Sequence, residues 1–370
     1  MIIGVPREIK AQEHRIALVP GAVAPLLADG HRVVIEKGAG LGSGYPDHEY
    51  VAGGANILET PQEVFGTADL IVKVKEPIEC EYGLLRKGQI VFTYLHLAAN
   101  KPLTVALMDA GCTAVAYETV TKNGRLPLLE PMSEIAGRMS SMVGALELSK
   151  NNSGMGKLLG GIPGVLPAKV TVIGGGTAGV NAARIAAGLG ADVTILEMDV
   201  ERMRLLDATL PKNIRTLFSS AANLAALLPD TDLLIGAVLV PGAKAPKLIT
   251  RDMLGIMKQG SVFVDIAIDQ GGCAETSLPT THQNPTYVVD GVTHYCVANM
   301  PGAFAQTATQ GLTNVTFGYL RKIANLGVIK AAQADEGLIP GINVMDGNLH
   351  CQAVANALDL PYTPLSLQPV

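Results

Sequence analysis

The sequence predicts an α/β protein built from two doubly wound parallel-sheet domains, and four observations predict it. Short apolar runs alternate with Ala- and Leu-rich segments separated by turn signals, as strand–helix–strand units do. The alternation runs twice, with a Gly- and Pro-rich stretch, "NNSGMGKLLGGIPGVLPAK" (Asn151 to Lys169), read as a loop before the second series. The composition is 48% hydrophobic and only 16% charged, with 41 glycines and no tryptophan, which suits buried parallel strands under Ala-rich helices. At 370 residues the chain exceeds one core of roughly 150 residues, so two domains are expected.

In the first series the expected strands are "MIIGV", "HRVVIE", "DLIVKVK", "QIVFTYLH" and "CTAVAYE". Helices lie between them: "PGAVAPLLADG" has Pro20 near its start and Gly30 past its end, and "KPLTVALMDAG" is closed by Gly111. The second series offers "KVTVIG", "DVTILE", "IRTLFS", "DLLIGAVL", "SVFVDIAI" and "THYCVAN". From about Gln306 the chain turns helical and then ends in a polar, Pro-containing tail.

Several classes are excluded. Net charge is −5 with no long basic run, which excludes a nucleic-acid or anionic-membrane partner. The start "MIIGVPREIK" has no signal-peptide pattern, and no apolar stretch approaches the ~18 residues of a membrane span, so a soluble, cytoplasmic protein is expected. Five scattered cysteines (Cys80, Cys112, Cys273, Cys296, Cys351) read as reduced thiols serving as small buried hydrophobes. His31 and His48 read as turn or surface residues. His282, His294 and His350 have no metal-ligand spacing, and no catalytic metal is expected.

The strongest local motif is "KVTVIGGGTAGVNAARIAAGLGADVTILEMD", where Gly174, Gly176 and Gly179 form GxGxxG between a strand and an Ala-rich helix. The first glycine allows the tight turn, the second admits a pyrophosphate, and the third lets helix and strand pack closely. Glu197 follows Gly174 by 23 residues, close to the expected place of the acid that binds the adenine ribose hydroxyls. A purely structural turn would explain the glycines but not the acid. A carboxylate there repels a 2′-phosphate, so NAD is the expected cofactor rather than NADP.

The first series has polar groups at its strand ends: Arg7 and Arg15 after the first strand, Lys75 ending "LIVKVK" and His96 ending "IVFTYLH". Ligands of open α/β sheets bind beyond the carboxyl ends of the strands. Cations and an imidazole gathered there suit a small anionic substrate. Singly, Arg15 and Lys75 could be solvated loop charges. In "VFVDIAIDQGG", Asp269 is expected to end an apolar strand and point into the crevice, while Asp265, mid-strand, is read as a hydrogen-bonded structural acid.

With "GVPREIK", "VKVKEP", "TYLHLAAN", "EPMSEIAGRM", the glycine turn, "DIAIDQGG" and "VANMPGA" in this order, the sequence resembles the bacterial L-alanine dehydrogenase family over nearly its whole length. The resemblance implies two Rossmann-like domains with the active site in the cleft between them. A discontinuous substrate domain would cover 1–130 and 306–370 and an NAD-binding domain 131–305, in a cytoplasmic homohexamer. It implies reversible NAD-dependent oxidative deamination of L-alanine to pyruvate and ammonium.

Carried over by motif, the resemblance implies that Arg15 and Lys75 hold the substrate's carboxylate and carbonyl. His96 would be the acid/base group and Asp269 the second catalytic residue. Cofactor contacts would be Ser133, Gly174, Gly176, Thr177, Ala178, Gly179, Glu197, Arg202, Ser219, Val238, Leu239, Ile266, Asn299 and Met300. Where the family commonly has Asp at the ribose position, this chain has the longer Glu197. Two rivals are the NAD-binding component of proton-translocating transhydrogenase, which needs no acid/base for an amino acid and would not be expected to keep His96, and a non-catalytic NAD-binding regulator.

Overall fold

A computed structural model describes residues 1–238 and 245–366. The chain divides into two compact units, one of Met1–Met132 with Gly302–Val370, the other of Ser133–Val240 with Lys244–Pro301.

The first unit begins with strands β1 (Ile2–Val5), β2 (Arg32–Glu36), β3 (Asn56–Leu58), β4 (Leu70–Val72), β5 (Ile90–Thr93) and β6 (Thr113–Ala116). The second holds β7 (Lys169–Ile173), β8 (Asp192–Glu197), β9 (Ile214–Phe218), β10 (Leu233–Gly236), β11 (Val262–Asp265), β12 (Thr286–Val289) and β13 (Val292–Tyr295). The chain then returns to the first unit with β14 (Ile342–Met345) and β15 (Asn348–Leu349).

Among the described residues the sheets run β15-β14-β6-β5-β4-β1-β2-β3 and β12-β13-β11-β10-β7-β8-β9. In each, the chain winds outward from the first strand, then restarts on that strand's other side. β1 pairs in parallel with both β2 and β4, and β7 with both β8 and β10. These are the topological switch points, where loops diverge and leave room for ligands. Both domains are therefore Rossmann-like, each with antiparallel strands at one edge.

The strands of the second unit are apolar on both faces. Val172, Ile195, Ile235 and Val264 enter one cluster, which helix Thr177–Gly188 covers with Ala182, Ala183 and Ala186. Their neighbours Ile173, Leu196, Leu234 and Phe263 enter the other. Successive side chains point to opposite faces, so continuous apolar runs are what a sheet covered on both sides needs. In the first unit Ile71, Val91 and Ala114 pack with Leu103 and Leu107 of helix Lys101–Ala110. Asn100 caps that helix by accepting the Leu103 N–H, and left-handed Gly111 closes it.

Several expected elements need correction. The runs ending in Lys75 and His96 stop being strand at Val72 and Thr93. Lys73 is buried just beyond β4, and its ammonium is satisfied by Glu81 at 2.9 Å and Glu8 at 3.4 Å. β11 ends at Asp265, and Asp269 lies in the 3-10 turn Ile266–Gln270 rather than at a strand end. The tail adds β14, β15 and helix Gln352–Leu358, which a short apolar run such as "INVM" does not announce. His31 is buried, against Asn325, and Cys80 is exposed.

Candidate active site

In the second unit the glycine turn departs from β7 at the switch point. Gly174 has φ of 101°, a left-handed conformation that favours glycine, and a Cβ on Gly179 would stand 1.8 Å from the Gly174 carbonyl oxygen. Gly176 is the N-cap of helix Thr177–Gly188 and offers no capping side chain, so the first-turn N–H groups suit an anion. Glu197, the last residue of β8, folds back on this turn. Its Oε2 accepts the Gly175 N–H at 2.9 Å, and its Oε1 accepts Met198 and Asp199 N–H at 2.7 and 3.0 Å. The Arg202 guanidinium donates to the Gly175 carbonyl at 2.9 Å, and Ser219 N–H reaches the Glu197 carbonyl at 2.8 Å.

A Cβ on Gly174 would also meet Ala237 and Val238, placing Val238 beside the turn. Helix Glu130–Glu147, which carries Ser133, packs closely on the same region, since a Cβ on Gly137 would stand 2.1 Å from the Ala178 carbonyl. This set fits the two halves of a dinucleotide: bare helix-end donors for pyrophosphate and a carboxylate for the ribose. Leu239 lies outside the described residues.

Asp269 is exposed, and its Oδ1 accepts the Asn299 N–H at 3.2 Å. Asn299 has φ of 62° and precedes buried Met300. Ile266 opens the turn that carries Asp269.

In the first unit the expected residues follow β1, β4 and β5. Arg15 is 2% exposed, not a solvated loop charge. Its Nε donates to Glu13 Oε1 at 2.7 Å, its Nη2 to Glu13 Oε2, and its Nη1 lies 3.0 Å from the Met132 sulfur. Burial pushes the Glu13 carboxyl up, but the Arg15 guanidinium outweighs it, with help from Lys75, and holds it at about 2. The backbone at Lys75 is fixed by Glu8, whose Oε1 accepts Val74 N–H at 2.6 Å and Lys75 N–H at 3.3 Å. Thr93 Oγ1 donates to the Lys75 carbonyl at 3.0 Å.

His96 stands beyond β5 in the left-handed region, φ 50°. Two acids hold it there. Glu118 accepts the backbone N–H of Leu95 at 3.1 Å and of His96 at 2.6 Å. Glu76 lies 3.2 Å from His96 Nδ1 and is also bonded by Lys10. Burial pushes the Glu76 carboxyl up, yet His96 and Lys10 together hold it at about 2. An ionised carboxylate can only accept, so the facing Nδ1 is the ring nitrogen that donates to Glu76.

Sequence reasoning missed these supporting acids. Glu13 and Glu76 sit within two residues of Arg15 and Lys75, a usable signal, whereas nothing local marks Glu8 or Glu118. Among the described residues no group of three potential metal ligands occurs.

Chemically, the first unit offers two cations and an oriented imidazole; the second offers a dinucleotide cradle and an exposed carboxylate. Known proteins are similar to this chain over nearly its whole length. Family descriptions "Alanine dehydrogenase/PNT, N-terminal domain" and "Alanine dehydrogenase/PNT, C-terminal domain" match residues 4–136 and 140–352. An alanine dehydrogenase of Methanococcus maripaludis is 54% identical over 98% of each chain. A solved L-alanine dehydrogenase superposes with TM-score 0.92 at 49% identity, covering 97% of this chain and 99% of the other. A solved transhydrogenase from Sinorhizobium meliloti gives 0.80 at 27% identity, covering 95% and 100%.

Proposed function

The chain belongs to the alanine dehydrogenase/PNT family, and from that premise we infer that it catalyses the NAD-dependent oxidative deamination of L-alanine to pyruvate and ammonium. It is an amino-acid dehydrogenase. The observation that carries this reading is the bare helix start at Gly176 with Glu197 folded beside it, set in a chain that is alanine dehydrogenase-like from end to end.

The residue roles are our proposal. Arg15 and Lys75 bind the substrate carboxylate and, on the pyruvate side, its carbonyl oxygen. Bound NAD supplies the acceptor for the hydride that leaves Cα. His96 Nε2 takes a proton from the substrate nitrogen as the C=N bond forms. It passes that proton to solvent, takes one from the water that adds to the imine and returns it to the carbinolamine nitrogen; as the C–N bond breaks and C=O forms, the hydroxyl proton goes to the departing ammonia, so ammonium leaves with pyruvate. Asp269 orients that water. Gly174, Gly176, Thr177, Ala178 and Gly179 cradle the pyrophosphate. Glu197, Arg202 and Ser219 serve the adenosine half, and Ser133, Val238, Leu239, Ile266, Asn299 and Met300 the rest of the cofactor.

The unit Met1–Met132 with Gly302–Val370 is read as the substrate domain and the other as the NAD domain. A cytoplasmic homohexamer completes the proposal. Free cysteines support a reducing compartment. The exposed Leu158, Ile162, Val165 and Leu166, on the loop closed by the Ile162–Val165 bridge, support association of copies. Among the described residues no helix is long and apolar enough to cross a membrane.

The transhydrogenase-component reading is weaker, because hydride exchange between nicotinamides has no use for an imidazole oriented by a carboxylate. A panel of amino acids with NAD and purified protein tests the assignment: L-alanine should give the fastest NADH formation, and no response to any amino acid would refute it.

A further inference from the structure

Asp265 is fully buried at the end of β11, and everything around its carboxylate is arranged to receive it. Its Oδ1 accepts the Ala267 N–H at 3.0 Å, and its Oδ2 accepts the Cys273 N–H at 2.9 Å and the Ser277 hydroxyl at 2.6 Å. The Cys273 thiol lies 3.4 Å from Oδ1. Two glycines clear the space: a Cβ on Gly272 would stand 2.7 Å from Oδ2, and one on Gly236 would stand 3.2 Å from Oδ1 and 2.3 Å from the Cys273 sulfur. Burial pushes the carboxyl up, and the hydrogen bonds from Ser277 and Cys273 pull it back.

The two backbone donors bracket one turn. Ala267 lies at its start and Cys273 just past its end, while Gly271 and Gly272 N–H close it onto the Ile268 and Ala267 carbonyls at 2.9 and 3.0 Å. Asp269 rides at the middle of this turn, exposed, with its Oδ1 on the Asn299 N–H.

We propose that Asp265 is a positioning residue for the deamination: it clamps both ends of the Ile266–Gln270 turn and thereby aims the Asp269 carboxylate. The proposal rests on the reading of Asp269 as a catalytic group. It also explains Gly272, which leaves room for the acid four residues before Asp269. An amide at 265 keeps one acceptor but turns N–H groups against donors, so the turn relaxes while the glycine cradle, on other strands, stays intact.

The test compares Asp265→Asn, Asp269→Asn, the double variant and the milder Ser277→Ala, by turnover, NADH fluorescence titration and melting temperature. Asp269→Asn should lose roughly 10²-fold in turnover. Asp265→Asn should lose about tenfold or more in kcat with NADH affinity within about threefold of the parent, and the double variant should be no slower than Asp269→Asn by more than about twofold, because both changes remove one function. Ser277→Ala should show the same split at smaller size, and decides the matter if Asp265→Asn does not fold. A folded Asp265→Asn, or a Ser277→Ala standing in for it, with parental kcat overturns the proposal, as do losses that multiply in the double variant. Parental turnover in Asp269→Asn is a different result: it overturns the catalytic reading of Asp269 itself, and the proposal with it.

Discussion

His96 Nδ1 lies 3.2 Å from a Glu76 carboxylate oxygen, and the Glu76 carboxyl is held ionised by that imidazole and by Lys10. A base held by an acid on one ring nitrogen presents the other in a defined tautomer. His96 sits beyond β5 in a backbone conformation that Glu118 maintains, and Glu76 sits beyond β4. Glu76→Gln should therefore lower kcat by roughly 10- to 100-fold while leaving NADH affinity unchanged. Stopped-flow turnover with a parallel NADH titration separates the two, and a parental kcat would show that the contact is structural only.

Lys75→Ala and Arg15→Ala should both damage alanine and pyruvate use and spare NADH binding, yet they should differ in stability. Removing Arg15 leaves the buried Glu13 carboxylate without its guanidinium, a cost of about 3–5 kcal/mol. On the Glu13 carboxyl, Lys75 acts more weakly than Arg15 does, so Lys75→Ala costs that buried acid less. Thermal melts should drop markedly for Arg15→Ala and little for Lys75→Ala; equal melting temperatures would contradict the buried-pair account.

Cofactor choice should follow Glu197. Its carboxylate, fixed on Gly175 N–H at 2.9 Å, meets a 2′-phosphate with like charge. kcat/KM for NAD should exceed that for NADP by at least about tenfold, roughly 1.4 kcal/mol. Glu197→Ser should narrow the gap, and equal use of NADP by the parent would sink the assignment.

Acid should destabilise the fold through Glu13 and Glu76. Each is held at about 2 against an ordinary 4.5, so between those limits the unfolded chain binds more protons than the folded one. The stability they contribute is complete above 4.5 and is lost as pH falls toward 2, on the order of 3 kcal/mol apiece. Melting temperature measured from about pH 5 to about pH 3 should fall steadily, with a shallower fall in Glu76→Gln. A flat profile would contradict the ionised buried carboxylates.

Much of the fold was legible because its signals are local. Apolar runs buried on both faces mark the parallel strands, and GxGxxG with Glu197 marks the nucleotide turn within one strand–helix–strand unit. The strand ends were not legible: "LIVKVK" reads apolar through Lys73, yet Lys73 is a buried ammonium whose partners Glu8 and Glu81 come from elsewhere in the chain. "SVFVDIAI" reads as one strand because the change to a 3-10 turn at Ile266 depends on Asp265 bonding to residues up to Ser277. Glu118 could not be found either, since its partner His96 lies 22 residues away and only the sheet brings them together.

The most direct test of the central claim is the fate of the Cα hydrogen. Purified protein given NAD and L-alanine deuterated at Cα should form NADH carrying deuterium at C4, with one pyruvate and one ammonium released per NADH. NADH formed without deuterium, or no NADH at all in the presence of alanine, would contradict it.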